Sequence, residues 1–183
     1  GAMYRAVGLY MLENGVSLED SAAIDENAGK ARVDVRYEGR EQRTYLNGRD
    51  VTGELRRPEV SLASSAVAKV HAVREVLVNR QRELARGISL VMDGRDIGTC
   101  VLTDATLKIF LTAAPEERAR RRFRQMNGRG VQSFEDVLND LIRRDRNDMS
   151  RAESPLRCAE DAVELDSTSL TEDEVVERIV SLL

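Results

Sequence analysis

Val91-Met92-Asp93-Gly94-Arg95-Asp96-Ile97-Gly98-Thr99 is the stretch on which the reading of the chain turns. It overlaps a short apolar run, Ile88-Ser89-Leu90-Val91-Met92, of buried-strand type, and the charged residues begin where that run stops. In open α/β sheets ligands sit beyond the carboxyl ends of the strands, so two acids, an arginine and two glycines directly after a strand occupy the place of a site. The arginine would face an anion. Glycine lets backbone approach a ligand, and carboxylates there can orient a metal or accept a hydrogen bond from a base amine. A tight turn closed by a structural Asp–Arg pair uses the same residues, and composition alone does not separate the two.

Working outward, Leu107-Lys108-Ile109-Phe110-Leu111 and Ala162-Val163-Glu164-Leu165 are two more apolar runs of strand type. Helical patterns fill the gaps: Pro115 to Met126 with proline in the first turn, Phe134 to Arg146 behind Ser133, and Thr171 to Leu183 behind a Thr171/Glu174 capping box. Strands alternating with helices predict an α/β fold with a parallel sheet. Upstream, Met3 to Glu13 carries a helical stripe ended by Asn14-Gly15, and a short helix is expected after Ser17, whose hydroxyl would cap it. Alternation at Val33, Val35 and Tyr37, a break at Gly39 and the Asn47-Gly48 pair predict a three-stranded antiparallel meander with a type I′ turn. It reads either as an insertion or as a hairpin of the main sheet. Pro58 to Leu84 is a long helical pattern, one helix or two broken near residues 69–72, closed by Gly87. The expected division is a core of residues 1–26 and 61–183 and a β insertion of residues 27–60.

With 183 residues, 42% hydrophobic and 33% charged, the chain suits one globular domain with a small insertion. A net charge of -4 argues against coating nucleic acid or an anionic membrane, and no apolar run approaches the roughly 20 residues of a membrane span. Cys100 and Cys158 form no CxxC pair and His71 is the only histidine, which indicates neither a zinc site nor a disulfide scaffold and fits a reducing cytoplasm. Lys30, Lys69 and Lys108 are the only lysines, so the positive charge is nearly all guanidinium, the group suited to bidentate recognition of phosphate.

That arginine concentrates in two places. Glu116 to Arg124 and the following Asn127-Gly128-Arg129-Gly130 put six arginines on a helix and its tail. They suit a flap that brings positive charge onto a reacting phosphate; they also suit a solvated basic face or an RNA-contacting helix. Arg143-Arg144-Asp145-Arg146-Asn147-Asp148-Met149-Ser150-Arg151 alternates acids and arginines near a helix end, as either a ligand cluster or a surface ion-pair network.

Tyr4-Arg5, Asn47-Gly48-Arg49-Asp50-Val51-Thr52, Val73-Arg74, Asp93-Gly94-Arg95-Asp96-Ile97-Gly98-Thr99 and Leu165-Asp166-Ser167-Thr168 together resemble the bacterial cytidylate kinases, in order and spacing over nearly the whole chain. The resemblance implies a P-loop nucleoside-monophosphate kinase fold: a parallel-sheet core, a small antiparallel β insertion and a helical Arg-rich lid at about residues 116–132. It implies transfer of the γ-phosphoryl of ATP to CMP or dCMP, with Mg²⁺ accompanying ATP and no partner beyond the substrates. A monomer in the cytoplasm is expected. Carried over residue by residue, Tyr4, Arg5, Ser65, Arg74, Arg95 and Asp96 would bind the acceptor nucleotide. Asp93, Arg95, Arg144, Asp148 and Arg151 would serve the reacting phosphates, and Arg118, Arg121 and Arg122 would carry the lid charge onto ATP. Asp93 would meet the metal through water, with no direct protein ligand. Alternatives are another acceptor such as UMP, an RNA-binding module using the Arg-rich helix, and a catalytically dead regulatory homologue.

One departure accompanies the resemblance. The family's first strand and its GxxxxGK[ST] phosphate loop precede the Tyr-Arg segment, and no such motif occurs in this sequence. The expectation from sequence is therefore that these 183 residues lack the donor loop and do not turn over by themselves.

Overall fold

In a computed structural model of the chain, the described residues are 1–39, 41–125, 133–152 and 154–183. They divide into two compact units, Gly1–Gly94 and Arg95–Leu183.

The first unit is built on helix α1 (Ala2–Glu13), which buries Met3, Ala6, Val7, Leu9 and Met11 and stops at Asn14, with Gly15 turning left-handed at φ 66°. Helix α2 (Ser21–Ala28) is capped by Asp20 rather than by the Ser17 that the sequence suggested. The Asp20 carboxylate accepts from the N–H groups of Ala22 and Ala23, both at 3.0 Å, which places the cap three residues later than expected. Strands β1 (Val33–Glu38), β2 (Glu41–Leu46) and β3 (Arg49–Asp50) form the antiparallel meander, with Val33 opposite Leu46. Asn47 and Gly48 both have positive φ, 49° and 84°, as a type I′ turn requires.

Helices α3 (Pro58–Val67) and α4 (His71–Ala85) follow. The long helical pattern is thus two helices, and Ser65 and Arg74 lie on different ones. Val33, Leu46 and Val51 join Met3, Val7, Val60, Val67 and Leu77 in one buried cluster, so the meander shares its core with the helices. α1 and α3 approach so closely that a β-carbon on Gly8 would lie 2.9 Å from the Ala63 β-carbon.

The expected strand at Ile88–Met92 is not formed: the segment is irregular, with Ile88 63% and Val91 98% exposed and Leu90 and Met92 partly buried. Apolar composition makes no strand by itself. A ladder needs a neighbour about 4.8 Å away, and no described residue pairs with this run.

The second unit holds a single π-helical turn (Ile97–Val101), strand β4 (Ile109–Thr112), helix α5 (Pro115–Gln125), helix α6 (Phe134–Met149), strand β5 (Val163–Asp166) and helix α7 (Glu172–Val180). β4 and β5 are parallel, Ile109 opposite Val163 through Thr112 opposite Asp166, as the βαβ pattern predicted. Full capping boxes start α6, at Ser133 with Asp136, and α7, at Thr171 with Glu174. No helix among the described residues is long and apolar enough to cross a membrane.

Candidate active site

The Asp96 carbonyl starts the π-helical turn, accepting from the N–H groups of Cys100 at 2.9 Å and Val101 at 3.3 Å, while Leu102 N–H donates to the Ile97 carbonyl at 2.7 Å. Single π turns are rare and recur at functional sites. This one buries Asp96 and leaves its neighbour Arg95 exposed.

Arg95 Nε donates to Asp148 Oδ2 at 3.2 Å. Asp148 stands near the end of α6, one turn after Arg144, and its other oxygen faces Arg151 Nη1 at 3.8 Å. The Arg151 side chain is only 10% exposed, and its Nε and Nη2 are buried with no hydrogen-bond partner among the described residues. An unmet buried donor typically costs about 1–3 kcal/mol, and more when charged, so these two nitrogens ask for an acceptor. Arg144 is half-buried. Burial, and next the positive charge of Arg122, hold its guanidinium below the ordinary arginine value, with Arg95 adding to the effect and Asp140 and Asp148 opposing it. Arg95 and Arg151 therefore face Asp148 from two sides, with Arg144 one turn before it on α6 and Arg122 acting on Arg144; the group lies near a helix C-terminus, whose negative dipole end offsets part of the repulsion. Such a concentration of like charge is suited to receiving a polyanion.

The three expected lid arginines separate in role. Arg118 donates to Asp145 at 2.6 Å and to the Ala113 carbonyl at 3.0 Å, tying α5 to α6. Arg121 donates to Glu117 at 3.0 Å, to the Ser167 carbonyl at 2.5 Å and to the Leu170 carbonyl at 3.3 Å, tying α5 to the segment after β5. Arg122 is exposed and acts on Arg144. The remainder of the expected lid, residues 126–132 with Arg129, lies outside the described residues.

Within the first unit, Arg5 Nη1 donates to the Leu55 carbonyl at 2.7 Å, next to half-buried Tyr4 on α1. The Ser65 hydroxyl points back to the Ser61 carbonyl at 3.5 Å. Arg74 is buried on α4, and Asp93 is exposed near the end of the unit. Of the residues marked out from sequence, the structure thus groups Arg95, Arg144, Asp148, Arg151 and Arg122 within the second unit, with Asp96 on the turn beside Arg95. Tyr4, Arg5, Ser65, Arg74 and Asp93 belong to the first. Among the described residues no group of three His, Cys, Asp or Glu could hold a metal ion.

One feature escaped the reading of the sequence: Lys108, at the start of the β4 run, is buried and its ammonium donates to Asp161 at 2.5 Å and to the Thr103 carbonyl at 2.6 Å. A cation inside an apolar strand run, in a chain with three lysines, was the available signal.

Comparison with known proteins identifies the family. The family model for cytidylate kinase matches residues 1–183. A cytidylate kinase of Caldicellulosiruptor bescii is 47% identical over 183 residues, covering 100% of this chain and 81% of that protein. One from Desulforamulus reducens is 50% identical over 182 residues, covering 99% of this chain and 82% of the relative. A third, from Vibrio cholerae, is 47% identical over 184 residues, with coverages of 100% and 82%. By the extent of the family match and the level of these identities, the chain belongs to the cytidylate kinase family.

Proposed function

We propose that the chain binds CMP or dCMP as the acceptor in a transfer of the γ-phosphoryl of ATP that gives (d)CDP and ADP. The observation that carries this reading is Arg151, buried with two unmet donors beside Asp148 and in the company of Arg95 and Arg144. A phosphate in that place would supply the missing acceptors and the compensating charge. Asp148 then has a positioning task, since one of its oxygens accepts from Arg95 and the other lies 3.8 Å from Arg151 as its ion-pair neighbour.

Base recognition follows from donor and acceptor chemistry. The Asp96 carboxylate would accept from the exocyclic amine of cytosine, while Arg74 and Ser65 would donate to the ring acceptors. Uracil offers no amine there. Tyr4 and Arg5 would contribute to the acceptor phosphate together with Arg95, and Arg122 would add charge from the α5 side. Transfer requires positioning in line and cancellation of charge on the phosphoryl oxygens, and several guanidiniums supply both. Mg²⁺ bound with ATP would neutralise part of the phosphate charge. Exposed Asp93 fits a contact to it through water, since kinase-type Mg²⁺ sites are made mostly of phosphates and waters with one or two carboxylates. A monomer acting in the cytoplasm is the setting we favour.

The RNA-binding alternative needs a basic helix with its charges available. Arg118, Arg120 and Arg121 are instead engaged by Asp145 and Glu117. Calorimetric titration with CMP, dCMP, UMP and AMP tests the assignment: CMP and dCMP are expected to bind at least about tenfold tighter than the other two. Equal affinities for all four would overturn it.

A further inference from the structure

We propose that Lys108, anchored by Asp161, is a positioning residue for cytosine recognition: it holds the turn that carries Asp96 and so sets the preference for CMP over UMP. The inference rests on the assignment of Asp96 to the cytosine amine made above.

The Lys108 side chain is 7% exposed. Burying an ammonium is costly, and an apolar residue of similar length would fill the same space at lower cost, so the charge itself requires a reason. Its surroundings give one. The ammonium donates to the Thr103 carbonyl at 2.6 Å, in the loop just past the π-helical turn, and to Asp161 Oδ2 at 2.5 Å, just before β5. Between the backbone and this ammonium the methylenes run under Gly98, within the turn. A β-carbon added there would lie 3.3 Å from Lys108 Cδ and 3.5 Å from Cγ, so the glycine backbone rests on the lysine stem. The backbone of Lys108 is fixed as well, its carbonyl accepting from Val163 N–H at 2.9 Å as β4 joins β5. One side chain thereby ties the β4/β5 ladder to the floor and to the far end of the turn that Asp96 opens.

A single π turn has few hydrogen bonds of its own to fix its place, which is why an outside strut matters. Small displacements of a contact group are costly: about 1 Å can lower function on the order of 100-fold. The Asp161 carboxyl is held below its ordinary range chiefly by the hydrogen bond from Lys108, which accords with a formed ion pair although Asp161 itself is largely exposed.

The test is equilibrium binding of CMP and UMP to the wild-type chain and to Lys108→Met, Asp161→Asn and Asp96→Asn, with circular dichroism and thermal melts on each. Lys108→Met keeps the unbranched stem under Gly98 and removes the ammonium. It is expected to weaken CMP binding about five- to tenfold and UMP binding less than about twofold, lowering the CMP:UMP ratio. Asp161→Asn, at a surface position that tolerates change, is expected to move the ratio the same way by about two- to threefold. A residue with a merely structural role would weaken both nucleotides together or change only the melting temperature, and either result overturns the proposal. Should Asp96→Asn abolish the preference while the two strut variants leave it at the wild-type value, the strut alone is refuted. Should the wild type show no preference, or Asp96→Asn leave it intact, the cytosine assignment fails and the strut with it.

Discussion

Two nitrogens of Arg151 lie buried with no acceptor among the described residues, while Arg118 and Arg121 spend their donors on carbonyls and carboxylates. The difference is one of energy. A satisfied guanidinium contributes to the fold, whereas an unsatisfied one burdens it until a ligand arrives. Arg151→Met should therefore raise the stability of the ligand-free chain by about 1 kcal/mol, since replacing buried charge with an apolar group of like volume is often stabilising. The same change should weaken CMP binding by about 100-fold, on the scale of a lost charge-assisted contact. Thermal melts and calorimetry on one preparation check both halves, and a variant that is less stable yet binds normally would contradict the role given to Arg151. Sequence alone showed that acids and arginines crowd residues 143–151. It could not show which guanidiniums are struts, because that depends on how α5 meets α6 and the segment after β5, through Asp145, Ser167 and Leu170.

The secondary elements were legible where local chemistry decides them. Thr171/Glu174 before α7 and Asn47-Gly48 between β2 and β3 act through neighbouring backbone, so four residues suffice to read each. Ile88–Met92 was not legible, because a strand exists only with a partner and a run of side chains names none. Close approach of α1 and α3 at Gly8 was equally hidden. Gly8→Ala should destabilise the chain by about 1–3 kcal/mol, since Ala63 and the backbone at Ser64 leave no room and must shift; chemical denaturation reads this directly. Thr171→Ala should cost about 1 kcal/mol through loss of the α7 cap.

The caps also predict an acid response. Hydrogen bonds from backbone N–H groups, of Ser133 to Asp136 and of Thr171 to Glu174, hold both carboxyls below their ordinary values. A depressed carboxyl contributes stability above its unfolded value and loses it as pH falls through the folded one. Helix content followed by circular dichroism should hold down to about pH 4 and decline below it, and Asp136→Asn with Glu174→Gln should flatten that decline.

At the scale of the whole molecule, nucleotide binding and folding are linked. A ligand that binds only the folded chain stabilises it by about 2.7 kcal/mol at 100 times its dissociation constant. CMP at a fixed concentration should therefore raise the melting temperature more than UMP at the same concentration, and identical shifts would argue against discrimination at Asp96. The enclosure of Lys108, the buried end of its ion pair with exposed Asp161, has a practical corollary. Of the three lysines, Lys30 and Lys69 are exposed, and only Lys108 is enclosed. An amine-acylating reagent should label the first two within the native protein and reach the third only when the strand region opens. The mass added at that one side chain then becomes an internal clock for local unfolding, read without any engineered probe.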